Sequence, residues 1–556
     1  MPQLTVPADP TMYREPMTTT PRPHSVPQHT VRACAEFLGA AVADGGTKAD
    51  AEPAGPAGLA AAVTGISHDS QGIRPGDLYL AWPGAARHGA EFGPDAVAAG
   101  AVAVVTDAAG SAQLDGLAVP VLVVSDVRGV AGKLSAFVYG EPAKQLAMFG
   151  VTGTNGKTTT SYLVDGGLRR AGRCTGVVGT VQILIGDEVV PSVRTTPEAP
   201  DLQAILATAV EKGVEAVSME VSSHALAYGR TAGIRFEAAA FLNLTQDHLD
   251  FHADFEDYFE AKAKLFTPEY TKRAIVDVDD EHGRRVVERC RANGVEVHTF
   301  SIKGNPADWS AEDVELDADD STFTVVGPDG RRHKASAGLP GDFNVANALA
   351  AIVMLTVSGI GLETAVAGVG DVHGVPGRME RVQIPGQDFL AVVDYAHTPD
   401  AVQTALSALR PVAERGHGRL RVVVGCGGDR DKAKRPMMGA AAVRLADEAV
   451  FTDDNPRSES SAEILAAVTA GADAELAGAA QNYRVVADRA AAIAYAVAAS
   501  GPGDVLIVAG KGHEQGQEIA GVKKPFDDRV VLRAALEASA GASSAGTGSE
   551  KGTGER

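Results

Sequence analysis

Residues Gly150-Val151-Thr152-Gly153-Thr154-Asn155-Gly156-Lys157-Thr158-Thr159-Thr160 follow the apolar run Leu146–Val151 and precede a helical pattern. The run predicts a strand that ends in a glycine-rich turn, and the turn opens a helix. Glycines at 150, 153 and 156 let backbone N–H groups curl around phosphate, and the helix N-terminus adds positive potential. Lys157 can reach β- and γ-phosphates, and the Thr158 hydroxyl can ligate Mg²⁺. The general G-x-x-x-x-G-K-[ST] pattern has glycine six positions before the lysine, where this chain has Val151, so the loop is a variant. The alternative is a glycine-rich turn with a solvated lysine, and the strand–loop–helix context argues against it.

Outward from this loop, short apolar runs alternate with amphipathic helical ones, which is the α/β pattern. Strands are predicted at Leu78–Ala81, Val102–Thr106, Val121–Val124, Leu146–Val151, Ala216–Glu220, Ala238–Asn243, Leu390–Asp394, Arg421–Gly425, Ala449–Thr452 and Val505–Ala509. Several end in a polar or Gly-rich motif, and in open parallel sheets ligands bind at the carboxyl ends of strands. A length of 556 residues allows roughly three or four domains. Breaks near 141–144 and 374–377 divide the chain into an N-terminal domain (29–143), a central domain (144–375) and a C-terminal domain (376–537). Residues 1–28 and 538–556 read as disordered tails, with Met12 and Met17 as alternative starts, and 45–58 reads as a loop.

Hydrophobic residues make up 45% and charged residues 22%, ordinary for a soluble globular protein. The net charge of −21 argues against nucleic acid and anionic membrane as partners. Cys34, Cys174, Cys290 and Cys426 are scattered and form no C-x-x-C pair, so reduced, buried thiols of a cytosolic protein are expected rather than a zinc site or a disulfide framework. No stretch is apolar enough to span a bilayer and no signal pattern opens the chain, so a cytoplasmic protein without membrane insertion is expected.

Two further strand ends carry chemistry. Ala216–Met219 leads into Glu220-Val221-Ser222-Ser223-His224, and a later strand leads into Asn243-Leu244-Thr245-Gln246-Asp247-His248-Leu249-Asp250. Glu220 offers a hard oxygen for the Mg²⁺ that phosphoryl transfer needs. The plainer reading of His248 and His252 is a pair of surface capping residues. Asp257-Tyr258-Phe259-Glu260-Ala261-Lys262-Ala263-Lys264 follows; its plainer reading is a solvated helical lysine.

The loop and these segments together resemble the Mur ligases and the related folylpolyglutamate synthetases. The resemblance runs from about Thr64 to Asp528. It implies an α/β, three-domain Mur ligase architecture, with a central P-loop-type mononucleotide-binding domain and a Rossmann-like C-terminal domain. In that family the residues matching Glu220 and His248 ligate magnesium, with two ions expected, and the lysine matching Lys262 is carbamylated. An ammonium has no acceptor and cannot bind Mg²⁺, whereas a carbamate can. The implied metal ligands are therefore Thr158, Glu220, His248 and carbamylated Lys262, and the implied catalytic set is Lys157, Glu220, His248 and Lys262.

The resemblance also assigns the substrates. ATP would meet Gly153, Thr154, Asn155, Gly156, Lys157, Thr158 and Thr159. It would also meet Asn347 in Gly341–Ala348, Arg378 in Gly377-Arg378-Met379-Glu380, and Asp394 in Asp394-Tyr395-Ala396-His397-Thr398-Pro399. A UDP-linked muramoyl dipeptide would meet Ser70, Thr195, Thr196, Ser222 and Arg230, with Gln71 standing where the family has arginine. Gly427-Gly428-Asp429-Arg430-Asp431, Asp454-Asn455-Pro456-Arg457 and Gly510-Lys511-Gly512-His513-Glu514 resemble the amino-acid pocket of the diaminopimelate-adding branch. That pocket would use Arg430, Asp454, Asn455, Pro456, Arg457, Gly510 and Glu514. Arg457 or Arg430 offers a guanidinium fork to the distal carboxylate, and Glu514 an acceptor to the distal ammonium. Ser460-Ser461-Ala462-Glu463 reads as a capping box. The expected activity is ATP-dependent amide-bond formation through an acyl phosphate, by a monomer. A lysine-adding ligase, a folylpolyglutamate-type ligase and a non-catalytic nucleotide switch are the alternatives.

Overall fold

The computed structural model describes residues 20–43, 56–84, 86–317 and 320–546. By compactness the chain forms two units. The first comprises residues 1–150, 172–238 and 267–272, and the second 151–171, 239–266 and 273–556.

The first unit contains a five-stranded sheet. Ala41–Ala43 pairs antiparallel with Val121–Val123; Ala103–Thr106, Asp77–Ala81 and Gly65–Ser67 then follow in parallel. Alternate side chains face opposite ways along a strand, and both faces here are apolar. Leu78 and Leu80 join one core with Val31, Leu134 and Val138, while Tyr79 and Ala81 join another with Ala90 and Ala96. In the same unit Thr175–Val178 runs parallel to Ala216–Glu220 and antiparallel to Gln182–Ile185.

In the second unit the helix Lys157–Arg170 packs on Asp342–Val357 and Leu362–Gly370. A Cβ at Gly368 would stand 2.6 Å from Gly167 Cα, so glycine on both helices sets this close approach. Residues from Arg273 in Thr271–Asp277 pair in parallel with Glu296–Ser301, after which Trp309–Leu316, Ser321–Val326 and Arg332–Ala337 extend the sheet.

The C-terminal sheet has the parallel order Leu390–Asp394, Val505–Ala509, Leu420–Cys426, Glu448–Asp453, Tyr483–Val485, with Glu380–Arg381 antiparallel at one edge. The last strand in sequence is thus inserted beside the first. Leu390, Val392, Val422, Val424 and Ile507 face one core, which includes Leu406, Met438 and Ile464. Ala391, Val393, Val423, Leu506 and Val508 face another, with Ile493 and Leu532. Helices on both faces explain why these strands read as continuous apolar runs. The order also places the carboxyl ends at Asp394, Ala509, Cys426 and Asp453 side by side.

Four sequence expectations about segments need correction, and Cys174 is exposed where a buried thiol is expected. Within the proposed N-terminal tail, Thr20–Gln28 is placed: Arg22 forms a buried ion pair with Asp77 and Thr20 donates to Asp201. At the other end the helix Asp528–Gly546 continues past 538. The helix Ser461–Leu476 begins after Ser460, but the Ser460 side chain makes no capping bond; Ser461 Oγ instead donates to Asp453. Of the proposed 45–58 loop, residues 45–55 lie outside the described residues and Pro56–Leu59 is helical.

Candidate active site

Ala147–Thr152 is a strand, and Lys157–Arg170 a helix with Gly156 as its N-cap. Gly153 and Gly156 lie at φ +156° and +89°. A Cβ at Gly156 would also collide with Asn347 Oδ1, so this turn needs glycine for conformation and for space. Lys157 Nζ donates to the carbonyls of Gly153 and Thr154, both at 2.9 Å. The loop is braced from outside: Asn155 N donates to Asn243 Oδ1 at 2.8 Å, Thr154 Oγ1 donates to Thr245 O, and Asn155 Nδ2 reaches Asp400 Oδ2 at 3.0 Å. Asn347, expected beside ATP, is buried against this loop. It accepts from Thr160 Oγ1 and donates to Asn344 Oδ1.

Lys262 lies in the helix Phe255–Ala263 and is 1% exposed. Its Nζ donates to Gly153 O at 2.9 Å and lies 4.7 Å from the Tyr258 ring centre. Burial, then the nearby Lys157 charge, hold its ammonium well below the usual lysine range, against an opposing pull from Asp247. The solvated-lysine reading is therefore excluded. Asp247 was not singled out by sequence. Burial would raise its carboxyl, but His248, His397, Lys434 and Lys157 together lower it. Backbone φ at His248 is +56°, and its ring lies 3.4 Å from Asp247. His252 is buried and bonded to Asp257, a structural partner rather than a surface cap.

Arg378 Nη2 donates to Thr158 Oγ1 at 3.0 Å, and its guanidinium stacks 4.5 Å from the Tyr395 ring centre. Asp394 accepts from Met379 N and Ala396 N, both at 2.8 Å, and so pins the two turns that carry Arg378 and Tyr395. Burial raises the Asp394 carboxyl, against the Arg378 charge.

In the first unit four of the five expected substrate contacts, Thr195, Thr196, Ser222 and Arg230, lie together. Glu220, at the end of its strand, is 1% exposed. Its carboxylate accepts from Thr180 N at 2.7 Å and Thr180 Oγ1 at 2.9 Å, and Thr180 Oγ1, its hydrogen used there, accepts from Thr195 Oγ1 at 3.0 Å. Thr196 Oγ1 donates to Glu220 O and accepts from Ser222 N; Arg230 donates to Thr196 O and Glu198. Arg230 Nε is buried with no partner, so the fork keeps a donor in reserve. Thr180 and Glu198 were missed, because neither stands in a recognisable motif. Ser70 lies on the short turn Ser70–Gly72, which Asp69 caps through Gln71 N.

The C-terminal strand ends gather Asp454, Asn455, Pro456, Arg457, Gly510 and Glu514. Arg457 has φ +53°, donates from Nη1 to Gly428 O at 2.6 Å, and bridges to Ile519 through the backbone. Gly510 has φ +118°, and a Cβ there would stand 2.7 Å from Asp454 Oδ2. Asn455 Nδ2 donates to Glu514 Oε2 at 3.0 Å. Arg430 is exposed, with its Cγ 3.7 Å from where a Gly427 Cβ would lie. Lys511 was quoted but not assigned a role; it is fully buried between these groups.

Three family descriptions match in order: "Mur ligase family, catalytic domain" over 62–139, "Mur ligase middle domain" over 151–355 and "Mur ligase, glutamate ligase domain" over 377–512. A UDP-N-acetylmuramoyl-L-alanyl-D-glutamate–2,6-diaminopimelate ligase of Streptomyces avermitilis is 55% identical over 88% of this chain and 97% of its own. The chain belongs to the Mur ligase family. The ligase of the same name from Corynebacterium glutamicum is 48% identical over 85% of this chain and 92% of its own. A solved structure of a protein with that name, 34% identical, superposes with a TM-score of 0.60 and covers 88% of this chain and 97% of its own. Acinetobacter baumannii MurF, at 19% identity and TM-score 0.62 over 92% and 99% of the two chains, shares the fold. These Mur ligase neighbours share the three-domain α/β architecture, and the chain is an ATP-dependent amide-bond-forming ligase.

Proposed function

We propose that this Mur ligase adds diaminopimelate to UDP-N-acetylmuramoyl-L-alanyl-D-glutamate in peptidoglycan precursor synthesis. The observation that carries the reading is the meeting of Arg457, Asn455 and Glu514 at neighbouring strand ends. An arginine fork and a carboxylate side by side suit a ligand with both a carboxylate and an ammonium at its far end. Lysine lacks that carboxylate and would leave the guanidinium with only Gly428 O and Glu518 as partners. The relatives bearing this name at 45–55% identity support the same substrate.

The γ-phosphoryl group of ATP passes to the glutamate side-chain carboxylate, giving ADP and an acyl phosphate. The amine of diaminopimelate attacks the acyl carbon, loses a proton and expels phosphate. Lys157 and Arg378 would face the transferring group, where fixed cations stabilise the charge that develops. Thr195, Thr196, Ser222 and Arg230 would hold the UDP-linked substrate, and Asp394 would fix the turn beneath Arg378.

Among the described residues no three His, Cys, Asp or Glu side chains are grouped to hold a metal ion. The donors we assign are Thr158, Glu220, His248 and Lys262, and this set suits Mg²⁺ if Lys262 is a carbamate. The buried, weakly basic Lys262 supports that state: a neutral amine attacks CO₂, forms an N–C bond and releases a proton. Bound there, Mg²⁺ would offset charge on the phosphates. No described helix is long and apolar enough to cross a membrane, and we propose a cytoplasmic, monomeric enzyme.

The test is phosphate release from ATP and the UDP-linked dipeptide with meso-diaminopimelate, LL-diaminopimelate, lysine or no amino acid. Release that depends on a diaminopimelate isomer is expected. Release with lysine alone would overturn the role of Arg457, and release independent of any amino acid would overturn the activity.

A further inference from the structure

Lys511 has no part in the reaction as described, yet its side chain is 0% exposed. Burying an ammonium is costly unless acceptors surround it. Here Nζ lies 3.0 Å from Asn455 Oδ1, 3.1 Å from Glu514 Oε2 and 3.9 Å from Asp454 Oδ1. The chain is shaped to bring it in. Gly510 and Gly512 flank it at φ +118° and +54°, and a Cβ on either would press on Asp454 or on Gly377 and Tyr395.

From this geometry we infer that Lys511 is a positioning residue that sets the specificity of the amino-acid pocket. The inference rests on the diaminopimelate reading of that pocket. An ammonium only donates. Lys511 Nζ and the backbone N–H of Glu518, at 3.0 Å, both point at one atom of the Asn455 amide, which must be its oxygen. The amide nitrogen is therefore turned toward Glu514 Oε2. One of its hydrogens is used there and the second is left for a ligand carboxylate. Lys511 and Asn455 also occupy the same oxygen of Glu514, which leaves Oε1 as the acceptor for the ligand's ammonium. Lys511 thus fixes a donor and an acceptor in opposite roles without touching the ligand itself.

The experiment is steady-state kinetics of the full-length enzyme and Lys511→Met, varying ATP, UDP-linked dipeptide and diaminopimelate in turn. KM for diaminopimelate should rise about tenfold or more, while kcat and the other two KM values stay within about threefold. In a Glu514→Gln background the further effect of Lys511→Met should shrink to about threefold or less. Lys511→Gln, which keeps a donor but no charge, should fall between wild type and Lys511→Met, and serves if Lys511→Met does not fold. An unchanged KM for diaminopimelate in a folded variant would overturn the proposal. So would a parallel rise in all three KM values, the mark of a purely structural lysine, or a full effect in the Glu514→Gln background. Wild-type enzyme that shows no diaminopimelate-dependent phosphate release overturns the substrate reading instead, before any variant is compared.

Discussion

Two lysines donate to the same carbonyl, that of Gly153, and their environments separate their roles. Lys157 is partly exposed at the start of its helix and keeps the reach a phosphate clamp needs. Lys157→Ala should retain the fold, as judged by circular dichroism and melting, and lose ATP-driven product formation; near-normal turnover would remove the assignment of the loop. Lys262 is buried, and the neighbouring Lys157 charge disfavours its ammonium further. Lys262→Ala should lose most activity. Native mass spectrometry at neutral pH should show a labile carboxyl adduct on wild type that the variant lacks. A fully active variant and an unmodified wild type would together refute the carbamate. The motifs supplied the proposed site side chains, since each stands in a recognisable string, at a strand end for Glu220 and Asp394 and on a helix for Lys262 and Asn347. Sequence missed Asp247, Thr180 and Lys511, because what distinguishes each is its neighbours: two histidines and two lysines, the Glu220 carboxylate, and Asn455 with Glu514.

At the scale of elements, apolar runs located the strands to within a residue or two. Leu390–Asp394 and Val505–Ala509 match their expected bounds. Ala238–Asn243 was read two residues late against Phe236–Phe241, because Leu242 and Asn243 leave the ladder to brace the phosphate loop. The strand Thr271–Asp277 ends on a carboxyl pushed up to about 7, by burial first and then by Asp279 and Asp280. Its folded form holds the proton more tightly than the unfolded chain does. That stabilisation is complete below the ordinary aspartate range and is lost as pH rises towards 7. Asp277→Asn stays neutral and keeps a carbonyl for the bond from Asp279 N. The melting temperature of the variant, relative to wild type, should climb between about pH 4 and pH 7. A difference independent of pH would refute this account.

Over the whole molecule, segments far apart in sequence complete each unit. In the first, Thr20–Gln28 straps the five-stranded sheet to the helix Ala199–Glu211. Arg22 pairs with Asp77 on the sheet, and Thr20 and His24 bond to Asp201 and Glu211 on the helix. Asp77 is 1% exposed, so Arg22→Met leaves a buried carboxylate without its counter-charge, keeping only the Arg74 N–H, at a cost of about 3 kcal/mol. The denaturation midpoint should fall, and Asp77→Asn in the same chain should restore part of it; an unchanged midpoint would show that the strap contributes nothing. In the second unit Asn155 meets Asp400, and Thr158 meets Arg378, across more than two hundred residues. By itself the sequence determined the α/β class and the strand–loop–helix of the glycine-rich loop, and it supplied the site residues proposed above, because hydrophobic period and turn chemistry are local properties. Only the tertiary structure decided which lysine is buried, which way the Asn455 amide points and that the N-terminal segment is a strap. Those outcomes depend on desolvation and on hydrogen-bond partners that the fold brings together from distant parts of the chain.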